Sequence, residues 1–276
     1  MKFVRSMLRF GWPVASLTIA TILSLPVIVL LASLFFDAES DWQHLVDNVL
    51  REYITNTVML AVGVTLISLL VGVSCAWVVS SCRFPGALFF SWGLLLPLAI
   101  PTYLIAYAYS DLLGVAGPVQ RYLRATFEWT SRDYWFPDIH SLSGATLLLS
   151  MVLYPYVYLA ARTAFLDQSV CALEVSRTLG LGPWRSFFRV ALPLARPSLV
   201  AGCSLVIMET IAEFGALQYL AVPTFATGIY RQWGMGELTS AAQLSATLLI
   251  FVVFAILLER FSRGRARYHQ ATIRYR

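Results

Sequence analysis

The sequence predicts an all-α integral membrane protein with six transmembrane helices and both termini on the cytoplasmic side. Three observations carry this prediction. Of 276 residues, 58% are apolar and 13% charged, and the mean hydropathy is +0.71; a soluble domain is nearer half apolar and a quarter charged. Apolar runs long enough to cross a hydrocarbon core of roughly 30 Å recur along the chain. Finally, fifteen of the 20 basic residues fall on segments that an inside N-terminus places in the cytoplasm, and five (Arg51, Arg121, Arg124, Arg132, Arg231) fall outside. That is the positive-inside bias of a multi-pass protein.

The first run, Val14 to Phe36, follows Lys2, Arg5 and Arg9. It is too long, and too poor in a small-residue cleavage site, for a removable signal peptide. With the acidic loop that follows (Asp37, Glu39, Asp41, Asp47, Glu52) it forms an N-terminal section, residues 1–55. The second run is Thr57 to Ser80. The third, Ala87 to Tyr109, contains Pro97 and Pro101, which remove two backbone donors and kink a helix. Its Tyr103 and Tyr107, and Tyr154 and Tyr156 around Pro155 in the fourth run (Gly144 to Phe165), either line a path or pack. Between these runs lies an outer loop, Ser110 to Ser143, whose Trp129, Tyr134, Trp135 and Phe136 suit a membrane interface. Asp138 and Ser141 are candidate starts of the next helix.

The inner segment 166–197 reads as helix, tight turn, helix. Asp167 or Ser169 caps the first helix, Gly180 and Gly182 allow it to end, and Pro183 opens the second. Trp184, Phe187 and Phe188 make that second helix partly apolar, so it is expected to lie along the membrane surface, with Arg185 and Arg189 toward lipid phosphates or a partner. The fifth run, Ser198 to Val222, holds Glu209 and Glu213, one helical turn apart. A carboxylate at that depth is costly unless water, a cation or a strong donor meets it. The pair is therefore read as a cation-favouring wall of a translocation path. The alternative is a structural carboxyl that bonds a neighbouring helix and breaks the span. The sixth run, Ala241 to Leu258, ends the membrane domain (residues 56–260), and residues 261–276 form a basic cytoplasmic tail or connector.

Enzyme chemistry is not legible. A nucleotide-binding P-loop needs a lysine after its glycines, and the sole lysine is Lys2. His44, His140 and His269 are scattered, and the four cysteines have neither metal nor redox spacing. No site residue is assigned to a metal, a cofactor or catalysis. The basic residues flank spans and do not form one patch, which points to anionic lipid headgroups and away from nucleic acid.

One motif is specific. Glu174-Val175-Ser176-Arg177-Thr178-Leu179-Gly180 is followed, after nine residues, by Val190-Ala191-Leu192-Pro193. This resembles the EAA loop of bacterial ABC importer permeases, with Val175 and Ser176 in place of the two alanines. Two further segments, Leu96 to Tyr103 and Glu209 to Ala216 with their continuations, resemble the ferric iron branch of the type I importers, whose fold thiamine and polyamine permeases share. The resemblance implies a type I ABC importer (MetI-like) transmembrane domain in a bacterial inner membrane. It also implies that Glu174, Arg177, Gly180, Leu192 and Pro193 couple to separate ABC ATPase subunits, which hold the ATP and Mg. A periplasmic binding protein would deliver ferric ion, and a second permease unit, fused or a second copy, would complete the pore. Ferric permeases of this branch resemble two such units joined, and this sequence carries one EAA-like loop. A rival reading is a secondary transporter or channel with Glu209 and Glu213 as a proton or cation relay; a membrane-embedded enzyme is a third.

Overall fold

The computed structural model describes residues 2–35, 45, 47–82, 84–167 and 182–262, and these are helical apart from short connections. Ten α-helices are numbered here: α1 (Lys2–Ala32), α2 (Leu50–Ser81), α3 (Ala87–Gly93), α4 (Thr102–Leu113), α5 (Pro118–Phe127), α6 (Leu142–Asp167), α7 (Leu192–Ala212), α8 (Gly215–Tyr219), α9 (Phe225–Gly234) and α10 (Leu238–Ser262). Four helical stretches among the described residues are long and apolar enough to cross a membrane: Trp12–Phe35, Leu50–Ser81, Leu142–Asp167 and Trp184–Ala212. A bent pair, Ala87–Ala99 with Thr102–Phe127, makes a fifth if it counts as one span, and Leu238–Phe254 is a shorter apolar helix. The expected six spans thus resolve into four unbroken helices, one broken pair and one short helix.

The chain divides into two compact units, residues 45–227 and residues 1–44 with 228–276. In the second of these, α1 and its closing 3₁₀ turn (Ser33–Phe35) pack on α10, and the Gln243 amide donates to the Ser33 carbonyl (3.2 Å). From Trp12 to Phe35 only Ser33 is buried, as suits a helix whose surroundings are lipid.

In the unit of residues 45–227, α6 is the central helix. It packs against α2 on one side and α7 on another, and Leu149, Val157 and Tyr158 are almost fully buried. Lipid tails are as apolar as leucine, so close packing, not burial from water, holds such helices together. Small residues allow it. A Cβ on Gly72 of α2 would lie 2.9 Å from the Tyr154 carbonyl, the Tyr158 nitrogen and the Val157 Cβ; one on Gly202 of α7 would lie 3.1 Å from the Val157 Cα. The α6 backbone is thereby gripped at one level from both sides. Gly72→Val is expected to destabilise this unit by about 1–3 kcal/mol through overpacking, read as a lower unfolding temperature in detergent, while Leu70→Val, on the exposed face of α2, leaves it unchanged.

The third span is broken at its prolines, with a 95° bend. Before the bend the chain tightens: the Leu95 and Leu98 amides donate three residues back, to Trp92 and Leu95. The carbonyls four residues back, of Ser91 and Leu94, lose those donors and must find others inside a bilayer. They find them on α6, where the Tyr158 hydroxyl donates to Ser91 (3.1 Å) and the Tyr154 hydroxyl to Leu94 (2.9 Å). These two tyrosines, one turn apart, pack and brace the broken helix.

The fifth span differs from its expected limits. It starts at Trp184, because the turn Pro183–Ser186 runs through a π-helical segment (Phe187–Ala191) straight into α7. The wide turn, in which the Leu192 amide reaches back to the Phe187 carbonyl, makes room for Pro193, which has no donor of its own. The expected separate surface helix is therefore the N-terminal end of the span that contains α7. Phe187 is buried, and Trp184, Arg185, Phe188 and Arg189 are exposed.

Candidate functional site

Two constellations frame the candidate site. The first lies at the end of α6 and the start of the α7 span, where Phe165 and Phe187 face each other at 6.3 Å, and Trp77 of α2 packs on both, at 5.4 Å and 4.8 Å. The two phenylalanines stand on either side of residues 168–181, so this aromatic clamp ties both ends of that segment to α2. Glu174, Arg177 and Gly180 lie outside the described residues. Leu192 and Pro193 are half-buried at the first turn of α7, and Leu192 packs against the core.

The second constellation lies where α7 ends. Glu209 and Glu213 do not share a helix face: α7 stops at Ala212, and Glu213 is extended (ψ 120°). Its carboxylate takes two donors. The Thr102 hydroxyl at the start of α4 reaches Oε2 (2.8 Å), and the Ala216 N–H in the first turn of α8 reaches Oε1 (2.9 Å). Glu213 therefore fastens the break after α7 to the break before α4. The same two helices pack through rings, with Tyr103 over Gly215 and Tyr107 edge-on to Tyr219 at 5.8 Å. Tyr103 and Tyr107 are each more than half exposed, so they present a wall beside the brace.

Glu209 stands apart from this brace, on an exposed part of α7. The Tyr156 hydroxyl on α6 donates to its Oε1 over a long 3.4 Å. Among the described residues no three His, Cys, Asp or Glu side chains gather to hold a metal ion. The exposed carboxylate and the half-buried phenol form a polar contact between α7 and α6.

The segment after α4 is built, not loose. The Gln120 amide donates to the Leu113 carbonyl (2.8 Å), the Tyr134 hydroxyl to Gln120 Oε1 (2.7 Å), and Arg124 to Tyr134 (3.1 Å) and the Val115 carbonyl (2.6 Å). Phe127, Trp129 and Tyr134 stack in series. The Thr130 hydroxyl, then its backbone N–H, holds the Asp133 carboxyl below the ordinary aspartate value. Ser141 caps α6 by accepting from the Gly144 N–H (3.0 Å). The alternative reading of a carboxyl bonded to a neighbouring helix fits Glu213, but sequence reasoning did not name Thr102 and missed the aromatic clamp, because each joins residues far apart in the chain and no local spacing announces it.

Four apolar spans and a bent pair, the pair fastened by Glu213 to the end of α7, are the frame of a multi-pass membrane protein. The chain belongs to the family of binding-protein-dependent transport system inner membrane components, whose model matches residues 68–267. The subunits of that family are non-catalytic, and the ATPase is a separate subunit. Among curated relatives, the chain is 32% identical over 213 residues to the molybdenum transport system permease protein ModB of Escherichia coli, covering 73% of this chain and 90% of that one. It is 28% identical over 219 residues to the Fe(3+)-transport system permease protein FbpB 2 of Haemophilus influenzae, covering 78% of this chain but 38% of that one. It is also 29% identical over 214 residues to the sulfate transport system permease protein CysT of Escherichia coli, covering 74% and 72%. Two solved structures share the fold. One is a bacterial ABC transporter involved in the import of the acidic polysaccharide alginate, with a TM-score of 0.66 at 16% identity over 95% of this chain and 99% of that one. The other is the inward-facing MetNI methionine ABC transporter, with 0.58 at 17% identity over 82% and 95%.

Proposed function

We propose that this chain is one permease unit of an ATP-driven importer whose cargo is a metal cation, with ferric iron as the specific reading. The observation that carries the cation reading is Glu209, an exposed carboxylate beside the Tyr156 hydroxyl on an otherwise apolar wall. An oxyanion would be repelled there, whereas a hard cation favours oxygen donors. The partners in this reading are ABC ATPase subunits carrying ATP and Mg, a periplasmic binding protein, and a second permease unit, fused or a second copy. Coupling runs through Glu174, Arg177 and Gly180, with Leu192 and Pro193 joining that segment to α7. ATP-driven closure of the ATPases would draw the docked loops together and shift the path from inward- to outward-open as a rigid-body change.

A second reading has one observation in its favour: the chain spans 90% of the molybdenum permease and 38% of the ferric one. Reconstitution with ATPase, binding protein and a second permease unit, with uptake of labelled ferric ion, molybdate and sulfate measured side by side, separates the two. Ferric uptake that needs ATP and the second unit is the expected result. Oxyanion uptake without ferric uptake would transfer the assignment, and ion movement without ATP would favour a channel or secondary transporter.

The basic-residue bias supports a topology with both termini in the cytoplasm. In a background lacking the native cysteines, Ser131→Cys and Thr239→Cys are expected to react with an impermeant maleimide from outside, and Ser176→Cys only after the membrane is opened. The reverse pattern would invert the topology.

A further inference from the structure

A cavity lies against the break in the third span. It measures about 500 Å³ and is walled by Leu96, Pro97 and Ile100 at the break, Tyr109 on α4, and Leu147 and Met151 on α6. A second cavity of about 480 Å³ adjoins it. The two share Leu113, Phe136, Pro137, Asp138 and Ile139 as a common wall. The first is almost wholly apolar; the second is lined by Gln120, Ser131, Tyr134 and His140 as well. Trp129 and Trp135 are exposed in the same outer segment, as at the level where a bilayer meets water. A greasy chamber and a polar chamber meeting at one aspartate have the division of an amphiphile.

We propose that this double cavity is a binding site for one phospholipid with an ethanolamine headgroup, one of its two acyl chains in the apolar chamber and its headgroup in the polar one. Each cavity is within the range that holds small ligands, about 300–1,000 Å³. An acyl chain gains little by moving from bilayer to groove, since both are apolar; the tail chamber contributes shape, and the head chamber selects. Asp138 is exposed, and its Oδ1 accepts from the His140 N–H (2.9 Å), which fixes the carboxylate at the shared wall. An ammonium group complements that charge, and an uncompensated anionic headgroup is repelled by it. The Ser131 hydroxyl and the His140 ring supply polar contacts for a phosphate, while Gln120 and Tyr134 are already bonded to each other and hold the wall rigid.

The test uses the full chain in nanodiscs of equal phosphatidylethanolamine and phosphatidylglycerol, stripped in detergent and weighed by native mass spectrometry. Retention of one phosphatidylethanolamine per chain is expected, enriched about tenfold over phosphatidylglycerol. Met151→Trp, which fills the groove from a half-exposed position, is expected to lower that retention about tenfold. Asp138→Asn keeps an acceptor for the His140 N–H and removes the charge, so retained lipid is expected to lose its headgroup preference. A photoreactive side chain at Leu147 is expected to cross-link to lipid in the otherwise unchanged protein, a readout that holds even if Met151→Trp misfolds. Absence of retained lipid, equal retention of both lipids by the unaltered chain, indifference to both substitutions, or a Leu147 cross-link to a protein partner would each overturn the proposal.

Discussion

Trp77→Ala is expected to be the most damaging single change at the inner end of the bundle, costing about 2–4 kcal/mol and bringing ATP-dependent uptake to background. A buried aromatic truncated to alanine costs about 3–5 kcal/mol; the lower range applies because Trp77 is half-buried. The cost is local in origin and wide in effect. Trp77 touches both Phe165 and Phe187, and those two bracket the segment proposed to dock on the ATPase. Without it, movement of that segment would be absorbed at its own ends and not passed to α6 and α7. Trp77→Phe keeps one ring in the clamp and is expected to retain most of the uptake. Gly180→Leu, which removes the residue proposed to end the docking helix, makes the complementary variant: stability unchanged, ATPase retention in mild detergent reduced. Normal uptake in Trp77→Ala together with normal stability would separate the clamp from coupling.

The apolar runs and the basic-residue bias made the membrane class legible from sequence, because a bilayer imposes length and charge rules that need no tertiary information. The proline pair located the break in the third span for the same reason: a missing donor is a local fact. What the prolines did not reveal was the repair, since the hydroxyls of Tyr154 and Tyr158 come from more than fifty residues away. The inner end of α7 misled in another way. Pro183 and the aromatics after it read as a surface helix separate from the fifth run, and a π-helical turn, which has no simple sequence signature, let one helix run through. At the carboxylates, a spacing of four placed Glu209 and Glu213 on one helix face, and the first residue that signals a helix end is Gly215. The span stops earlier, at Ala212, and the Glu213 carboxyl there accepts from the Thr102 hydroxyl and the Ala216 N–H, a long-range arrangement that no spacing in the sequence signals. Glu174, Arg177 and Gly180 remain a reading of motif and spacing alone.

The two carboxylates therefore carry opposite expectations. Glu213→Ala leaves the Thr102 hydroxyl and the Ala216 N–H without their acceptor, and charge-assisted bonds of this kind contribute about 1.5–3 kcal/mol each. Because Glu213 is half-buried, a total loss of about 2–4 kcal/mol is expected, seen as a lower unfolding temperature and poor recovery from membranes. Glu213→Gln retains one acceptor oxygen and should fall between. Glu209→Gln removes a charge that holds nothing in place beyond one long contact to Tyr156, so its unfolding temperature should match the unaltered protein. Its uptake should not. If the exposed carboxylate meets the cation, neutralising it is expected to lower ferric uptake about tenfold or more, equivalent to about 1.4 kcal/mol of lost contact, with the ATPase still attached. Glu209→Asp, which keeps the charge on a shorter arm, is expected to recover part of that loss. The decisive measurement is the pair of readouts on both variants. Equal uptake by Glu209→Gln and the unaltered chain would remove the path from α7, and a Glu213→Ala protein that is stable but inactive would move the cation contact to the brace.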